Sequence, residues 1–241
     1  MKKIELKHKE IIEFCHANSD ESVIKKYSRY IKQGYDAYGI DSKMLVSQKT
    51  KWVNSWEDEM TIYDYLNLGD TLVSTGKFEE ADFAFQFILS KKDEFSPEIF
   101  ERTGKWLENG IQNWANTDVL CMLVLSEFIF NEIVQVKNFT NWTESKSKWK
   151  RRAVPVTFVE AIKKGHKAGP ILSVIEKLML DEEEDVQKGL GTLLREIWKK
   201  HPDLAEIFLL KWKDKCGRKI IQYATEKMDK NNKAKFKKVK K

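Results

Sequence analysis

The sequence predicts an all-α chain of stacked helix pairs, and three observations carry that prediction. Strand signals are almost absent, apolar residues recur at spacings of three and four along most of the 241 residues, and three of the four prolines stand where helices begin. The hydrophobic content of 41% and a mean hydropathy of -0.54 suit a soluble globular chain with an extended core. Eight Trp, within an aromatic content of 12%, need rings to pack against, which excludes wholesale disorder.

The expected helices run in order. The first five cover 4–17, 21–34, 42–53, 59–67 and 77–92; in the fifth, Phe78, Ala81, Phe85, Ile88 and Leu89 share a face that Glu79, Glu80, Gln86 and Lys91 mostly avoid. Ser96-Pro97-Glu98 opens a helix over 97–109, followed by 118–136 and 149–165. Gly169-Pro170 opens 170–180, and the carboxylates of Asp181 to Asp185 suit the dipole at the start of 184–200. That helix carries Val186, Leu190, Leu193, Leu194 and Ile197 on one stripe. His201-Pro202-Asp203 opens 202–213, with Leu204, Ile207, Phe208, Trp212 and the stem of Lys211, and a last helix covers 216–228. Twelve helices with short connections make antiparallel pairs of roughly 35 to 45 residues, the size of HEAT-type units. The expected architecture is therefore a superhelical α–α solenoid of HEAT-like helical repeats. No self-similarity appears at a fixed period, so the repeats are degenerate, and a compact bundle is the alternative. A solenoid offers a concave surface wide enough for a duplex; a bundle does not.

Charge divides the chain. Residues 230–241 hold seven lysines and no acid, so the net charge of +6 leaves the other 229 residues with about one net negative charge. The expected organisation is a repeat domain over 1–229 and a basic, disordered tail over 230–241. Within the body, Lys146 to Lys167 holds eight basic residues against Glu160 alone, and the acidic run Asp181 to Asp185 follows. This juxtaposition reads as a charged face turned to a partner with acids kept off it, or as an ordinary solvated surface.

Several classes of function lack support. No apolar run reaches the length of a membrane span, and the N-terminus has no continuous apolar stretch of the secretory kind. Cys15, Cys121 and Cys216 form no framework and no CxxC pair, which fits a reduced cytoplasm. His8, His16, His166 and His201 are scattered, so no metal site is expected. The absence of a P-loop, a GxGxxG turn and a GxSxG elbow points away from a small-molecule cofactor or a covalent nucleophile. An enzyme of this kind works by positioning and electrostatics, and a monomer is expected.

Four segments, in order, carry a resemblance. They are Arg29-Tyr30-Ile31-Lys32 with Tyr38-Gly39-Ile40, then Asn113-Trp114-Ala115-Asn116-Thr117-Asp118, then Trp149-Lys150-Arg151-Arg152-Ala153-Val154, and finally Val186 to Glu196, read VQKGLGTLLRE. Together they resemble the AlkD-like DNA alkylation repair family of helical-repeat glycosylases over about residues 21–228. The resemblance implies excision of cationic N3- or N7-alkylated purines from double-stranded DNA by hydrolysis of the N-glycosidic bond. It implies Asp118 and Trp114 as the catalytic pair and a DNA-facing Tyr30. It also implies an Arg152 that anchors phosphate, supported by the charges of Lys148, Lys150 and Arg151. Thr192 departs from the pattern: one branch of the family has a second Trp there against the DNA, and a hydroxyl cannot stack.

The chemistry suits those residue types. A purine alkylated at N7 or N3 is already cationic and leaves without a general acid, while positive charge develops on the sugar. A fixed carboxylate stabilises that charge, and an aromatic face offers it negative potential. Each residue has a plainer reading as well. Asp118 precedes the apolar run Val119 to Leu125 and could be a helix N-cap. Trp114 could be a core residue, Arg152 a surface arginine, and Tyr30 a core or groove aromatic. The alternative function is a non-catalytic DNA-binding repeat protein that recognises distorted or branched DNA.

Overall fold

The structure, a computed structural model, describes residues 2–237. Among them there are fourteen α-helices and no strand; the sole β-bridge joins Asp36 to Lys77. In chain order the helices are α1 (Lys2–Ala17), α2 (Glu21–Tyr27), α3 (Ser42–Trp56), α4 (Ile62–Ser74), α5 (Phe78–Leu89), α6 (Pro97–Trp106), α7 (Trp114–Leu120), α8 (Ser126–Phe130), α9 (Lys148–Lys163), α10 (Ala168–Ile175), α11 (Glu184–Lys200), α12 (Pro202–Trp212), α13 (Arg218–Ala224) and α14 (Lys230–Ala234). The chain divides into two compact units, residues 1–128 and 129–241.

The first unit is built around α4 and α5. The apolar stripe of α5 buries Phe83, Phe85, Phe87 and Ile88 completely. Phe87 stacks on Tyr65 of α4 at 5.4 Å, and Trp52 and Trp56 of α3 stack on each other at 5.4 Å beside it. Indole N–H groups inside a core need acceptors: Trp52 donates to Glu10 at 2.6 Å and Trp106 of α6 to Asp70 at 2.7 Å. Gly69 lets the Trp106 ring lie directly on α4, where a Cβ would stand 2.6 Å from it.

The second unit centres on α11. Gly189 faces α9, where an added Cβ would meet Val156 at 3.3 Å, and Gly191 faces α13, where it would meet Tyr223 at 2.5 Å. The two glycines of the QKGLG run thus let α11 be gripped closely on two sides. A 3-10 segment, Val136–Glu144, buries Phe139 and Trp142 and seats Phe139 edge-on against Phe158 of α9 at 5.1 Å.

Several boundaries differ from the sequence expectation, the helices expected over 59–67 and 170–180 running Ile62–Ser74 and Ala168–Ile175, and three further differences have a local reason. The helix expected over 21–34 stops early: α2 ends at Tyr27, one further turn closes with the Ile31 N–H on the Tyr27 carbonyl, and Gly34 at φ 63° ends the run. The helix expected from 118 begins at Trp114 and runs through a π segment, Cys121–Leu125, into α8. The lysine-rich segment expected to be disordered is helical at its start. Asp229 caps α14, and Phe236 is 2% exposed. Residues 238–241 of that segment lie outside the described residues.

Buried carboxylates tie the N-terminal loops to α5. Glu79, 2% exposed, accepts the backbone N–H groups of Tyr38 at 2.9 Å, Gly39 at 2.8 Å and Ile40 at 3.2 Å. Glu80, 1% exposed, accepts the Tyr38 hydroxyl at 2.7 Å. Asp82, on the same helix, is different: burial pushes its carboxyl up from 3.8 to about 6, against the pull of Lys49. A carboxyl raised on folding favours the folded state below its unfolded value, and that contribution is lost as pH rises through the folded one. Replacing Asp82 with Asn should therefore change stability little near pH 4 and raise it at pH 8 by about 3 kcal/mol. Urea midpoints at the two pH values check this; an equal change at both would refute it.

Candidate active site

In the first unit, Asn113 sets the start of α7. Its side chain accepts the Asn116 N–H at 2.8 Å, so Asn113 is the N-cap and Asp118 lies inside the helix, at its fifth position. The cap reading of Asp118 is thereby replaced. Asp118 is half-buried, and it sits one helical turn beyond Trp114, on the same side of α7.

Trp114 is not a core residue either: it is 39% exposed, and its indole N–H reaches the Tyr30 carbonyl at 3.4 Å. Tyr30 itself is 70% exposed. The structure thus brings two of the expected aromatic residues together, across 84 positions of sequence. Their mutual placement rests on two side-chain amides that lie within the second motif and to which the resemblance assigns no role. The Asn113 amide donates to the Gly34 carbonyl at 3.0 Å and that of Asn116 to the Phe78 carbonyl at 3.1 Å. At Gly34 a Cβ would stand 2.1 Å from the Gln112 carbonyl oxygen, so the loop bearing Tyr30 lies flush against the chain entering α7. The signal is present in the sequence: Asn three residues ahead of Asn116, immediately before a helical run, is a capping pattern.

Burial raises two further titratable groups of this unit. Tyr35 is pushed up to about 12, and the Cys15 thiol, buried beside Glu80 and Glu79, is raised well above its ordinary range. A thiol held protonated is a poor nucleophile.

In the second unit, the basic run at the start of α9 meets the acidic run ahead of α11. The Arg151 guanidinium holds Asp181 through two nitrogens at 2.6 and 3.3 Å and the carbonyls of Ser145 and Lys146 at 2.8 and 3.2 Å. Lys148 pairs with Asp185 at 3.0 Å, and its ammonium lies over the Trp149 ring. Lys150, 9% exposed, lies over the Trp142 ring at 5.1 Å. Arg152, 7% exposed, donates to the Asp185 carbonyl. The expectation that the acids are kept off the basic face is corrected: the two runs fold onto each other. Glutamine from the fourth motif completes the junction, Gln187 donating to the Asp181 carbonyl at 2.9 Å. Thr192 is half-buried on α11, one turn from Lys188.

Removing one partner of such a pair leaves the other uncompensated. Arg151→Ala strands the Asp181 carboxylate, whose side chain is 6% exposed, and should lower stability by about 2–4 kcal/mol. A denaturant-midpoint comparison with Lys146→Ala, a neighbour outside this pair, measures the difference; equal midpoints would contradict it.

Among the described residues no three His, Cys, Asp or Glu side chains come together as a metal site, and no helix is long and apolar enough to cross a membrane.

The described residues form an all-helical frame, and comparison with known families specifies its class. The family model described as "DNA alkylation repair enzyme" matches residues 11–228, and the chain belongs to that family. Its fold is similar to a structure described as a predicted DNA alkylation repair enzyme from Enterococcus faecalis, with a TM-score of 0.76 at 14% identity, covering 88% of this chain and 98% of that one. It is also similar to AlkD2 from Streptococcus mutans, with a TM-score of 0.58 at 20% identity, covering 77% and 90%. No curated protein sequence matches the chain.

Proposed function

We propose that the protein is a DNA glycosylase that hydrolyses the N-glycosidic bond of cationic N3- and N7-alkylated purines in double-stranded DNA, acting as a cytoplasmic monomer without a cofactor. The observation that carries this reading is the placement of Asp118. It lies inside α7 and not at its cap, half-buried, and one turn from Trp114, whose ring is fixed to the Tyr30 backbone.

In this reading the alkylated base departs with its electron pair, which its positive charge accommodates. Asp118 stabilises the cationic sugar and orients the attacking water. The Trp114 face adds negative potential to the same place, and Tyr30 packs against the DNA. In the second unit Arg152 contacts a DNA phosphate, with Lys148, Lys150 and Arg151 contributing charge from their paired positions. Incubation with randomly methylated duplex DNA tests the proposal. Release of free 7-methylguanine and 3-methyladenine is expected; absence of both would refute it.

Thr192 favours a second reading. A half-buried hydroxyl stands where the resemblance places a DNA-contacting ring, which suits a relative that binds distorted or branched DNA without excision. Tight duplex binding with no released base selects it.

A further inference from the structure

Of the basic residues that the resemblance singles out, Lys148 and Arg151 are engaged with acids and Lys150 and Arg152 are buried, which leaves open what else neutralises the DNA backbone. Another group answers that need. Lys25, Lys26, Arg29 and Lys32 are all exposed, on α2 and the turn that continues it, and within residues 21–35 the sole acid is Glu21 at the head of the helix. None of the four makes an ion pair among the described residues, whereas Lys3, Lys7, Lys77 and Arg102 of the same unit each hold a carboxylate.

Their spacing makes a strip. The bonds from Ser28 N–H to the Ile24 carbonyl and from the Tyr30 and Ile31 N–H groups to the Tyr27 carbonyl continue α2 as a turn as far as Ile31. Lys25 and Lys26 on the last turn of α2 are thus followed directly by Arg29 and Tyr30 on the turn that continues it, and by Lys32 just past it. Tyr30, at 70% exposure, and Tyr27, at 39%, lie among the cations, and Lys26 sits over the Tyr27 ring at 5.2 Å. Cations without counter-charges beside exposed rings match a polyanion that also presents flat apolar faces.

We infer that Lys25, Lys26, Arg29 and Lys32 form a phosphate-binding strip that holds the backbone of duplex DNA alongside Tyr30. The inference rests on the proposed DNA-directed reading and deepens it, assigning the electrostatic part of binding to α2 and its extension. The strip supplies attraction that does not depend on sequence or lesion, while Asp118 and Trp114 supply the chemistry.

The test compares wild type with K25Q/K26Q/R29Q/K32Q on an unmodified duplex between 50 and 300 mM salt, by fluorescence anisotropy, with excision from methylated duplex measured beside it. Each phosphate that the variant no longer neutralises should lower the slope of log Kobs against log salt by about 0.9, so a fall of about 3.6 is expected for the four. Excision at saturating DNA should be unchanged while the DNA concentration for half-maximal rate rises at least tenfold. A variant with wild-type slope and affinity, alongside an active wild type, overturns the strip and leaves the glycosylase reading intact. A wild type that excises nothing but whose salt-dependent binding disappears on substitution overturns the glycosylase reading and keeps the strip. A wild type without salt-dependent duplex binding overturns both. Because all four side chains are exposed, circular dichroism should show an unaltered fold, and K25R/K26R/K32R should restore the wild-type slope.

Discussion

Asp118→Asn should abolish most excision while leaving binding and fold in place. The side chain is half-buried inside α7, and the cap of that helix is Asn113, so exchanging a carboxylate for its neutral isostere disturbs no helix terminus. On the proposed mechanism, what disappears is the negative charge that stabilises the developing sugar cation. Removing one preorganised electrostatic partner from a transition state costs about 10²–10³ in rate, roughly 3–4 kcal/mol. Single-turnover release of 7-methylguanine should fall by that factor, with duplex affinity within about threefold of wild type by the same charge argument. Trp114→Phe should lie between the two proteins, since it keeps a ring face but removes the indole N–H that reaches the Tyr30 carbonyl. A fall in rate matched by an equal fall in affinity would mean that Asp118 serves binding and that the chemistry lies elsewhere.

The largest effect on stability is expected at Glu79. One carboxylate there accepts three buried backbone N–H groups, those of Tyr38, Gly39 and Ile40. Glu79→Ala leaves all three without a partner in a site closed to water, and each unsatisfied donor costs about 1–3 kcal/mol. Relaxation of the loop recovers part of this, so a net loss of about 3–5 kcal/mol is expected. Glu79→Gln keeps one carbonyl oxygen for Gly39 and Ile40 and turns an amide donor toward Tyr38, so its loss should be about half as large. Urea denaturation of the two variants measures both. A loss under about 1 kcal/mol for Glu79→Ala would show that the 38–40 loop finds other acceptors.

The sequence makes the helices legible where periodicity and punctuation agree. Ser96-Pro97, His201-Pro202 and the stripes of α5 and α11 are in place because the 3–4 spacing of apolar residues and the start signals act over a few residues. The breaks are less legible. Gly34 ends a helical run that composition alone would continue, and the reason is a close approach to Gln112, distant in sequence. The candidate site divides the same way. Trp114 and Asp118 share a side of α7 because they are four residues apart, which spacing alone dictates. Their tie to Tyr30 and the bonds made by Asn113 and Asn116 depend on which loop lies beside α7. The basic run of α9 invites a partner-facing reading because its acids sit some thirty positions away. Only the packing of α9 against α11 shows Arg151 on Asp181 and Lys148 on Asp185. The strip at Lys25 to Lys32, with fewer charges, does not stand out in the sequence because exposure and pairing decide its role, and neither is visible there.

The most direct test of the central claim uses two duplexes that differ in one base. One carries a single 7-methylguanine, which is cationic, and the other a single hypoxanthine, which is neutral and leaves poorly without a general acid. Single-turnover base release should occur from the first, leave an abasic site, depend on Asp118, and be absent from the second. Equal release from both, or release from the first that survives Asp118→Asn, would contradict carboxylate catalysis on cationic lesions.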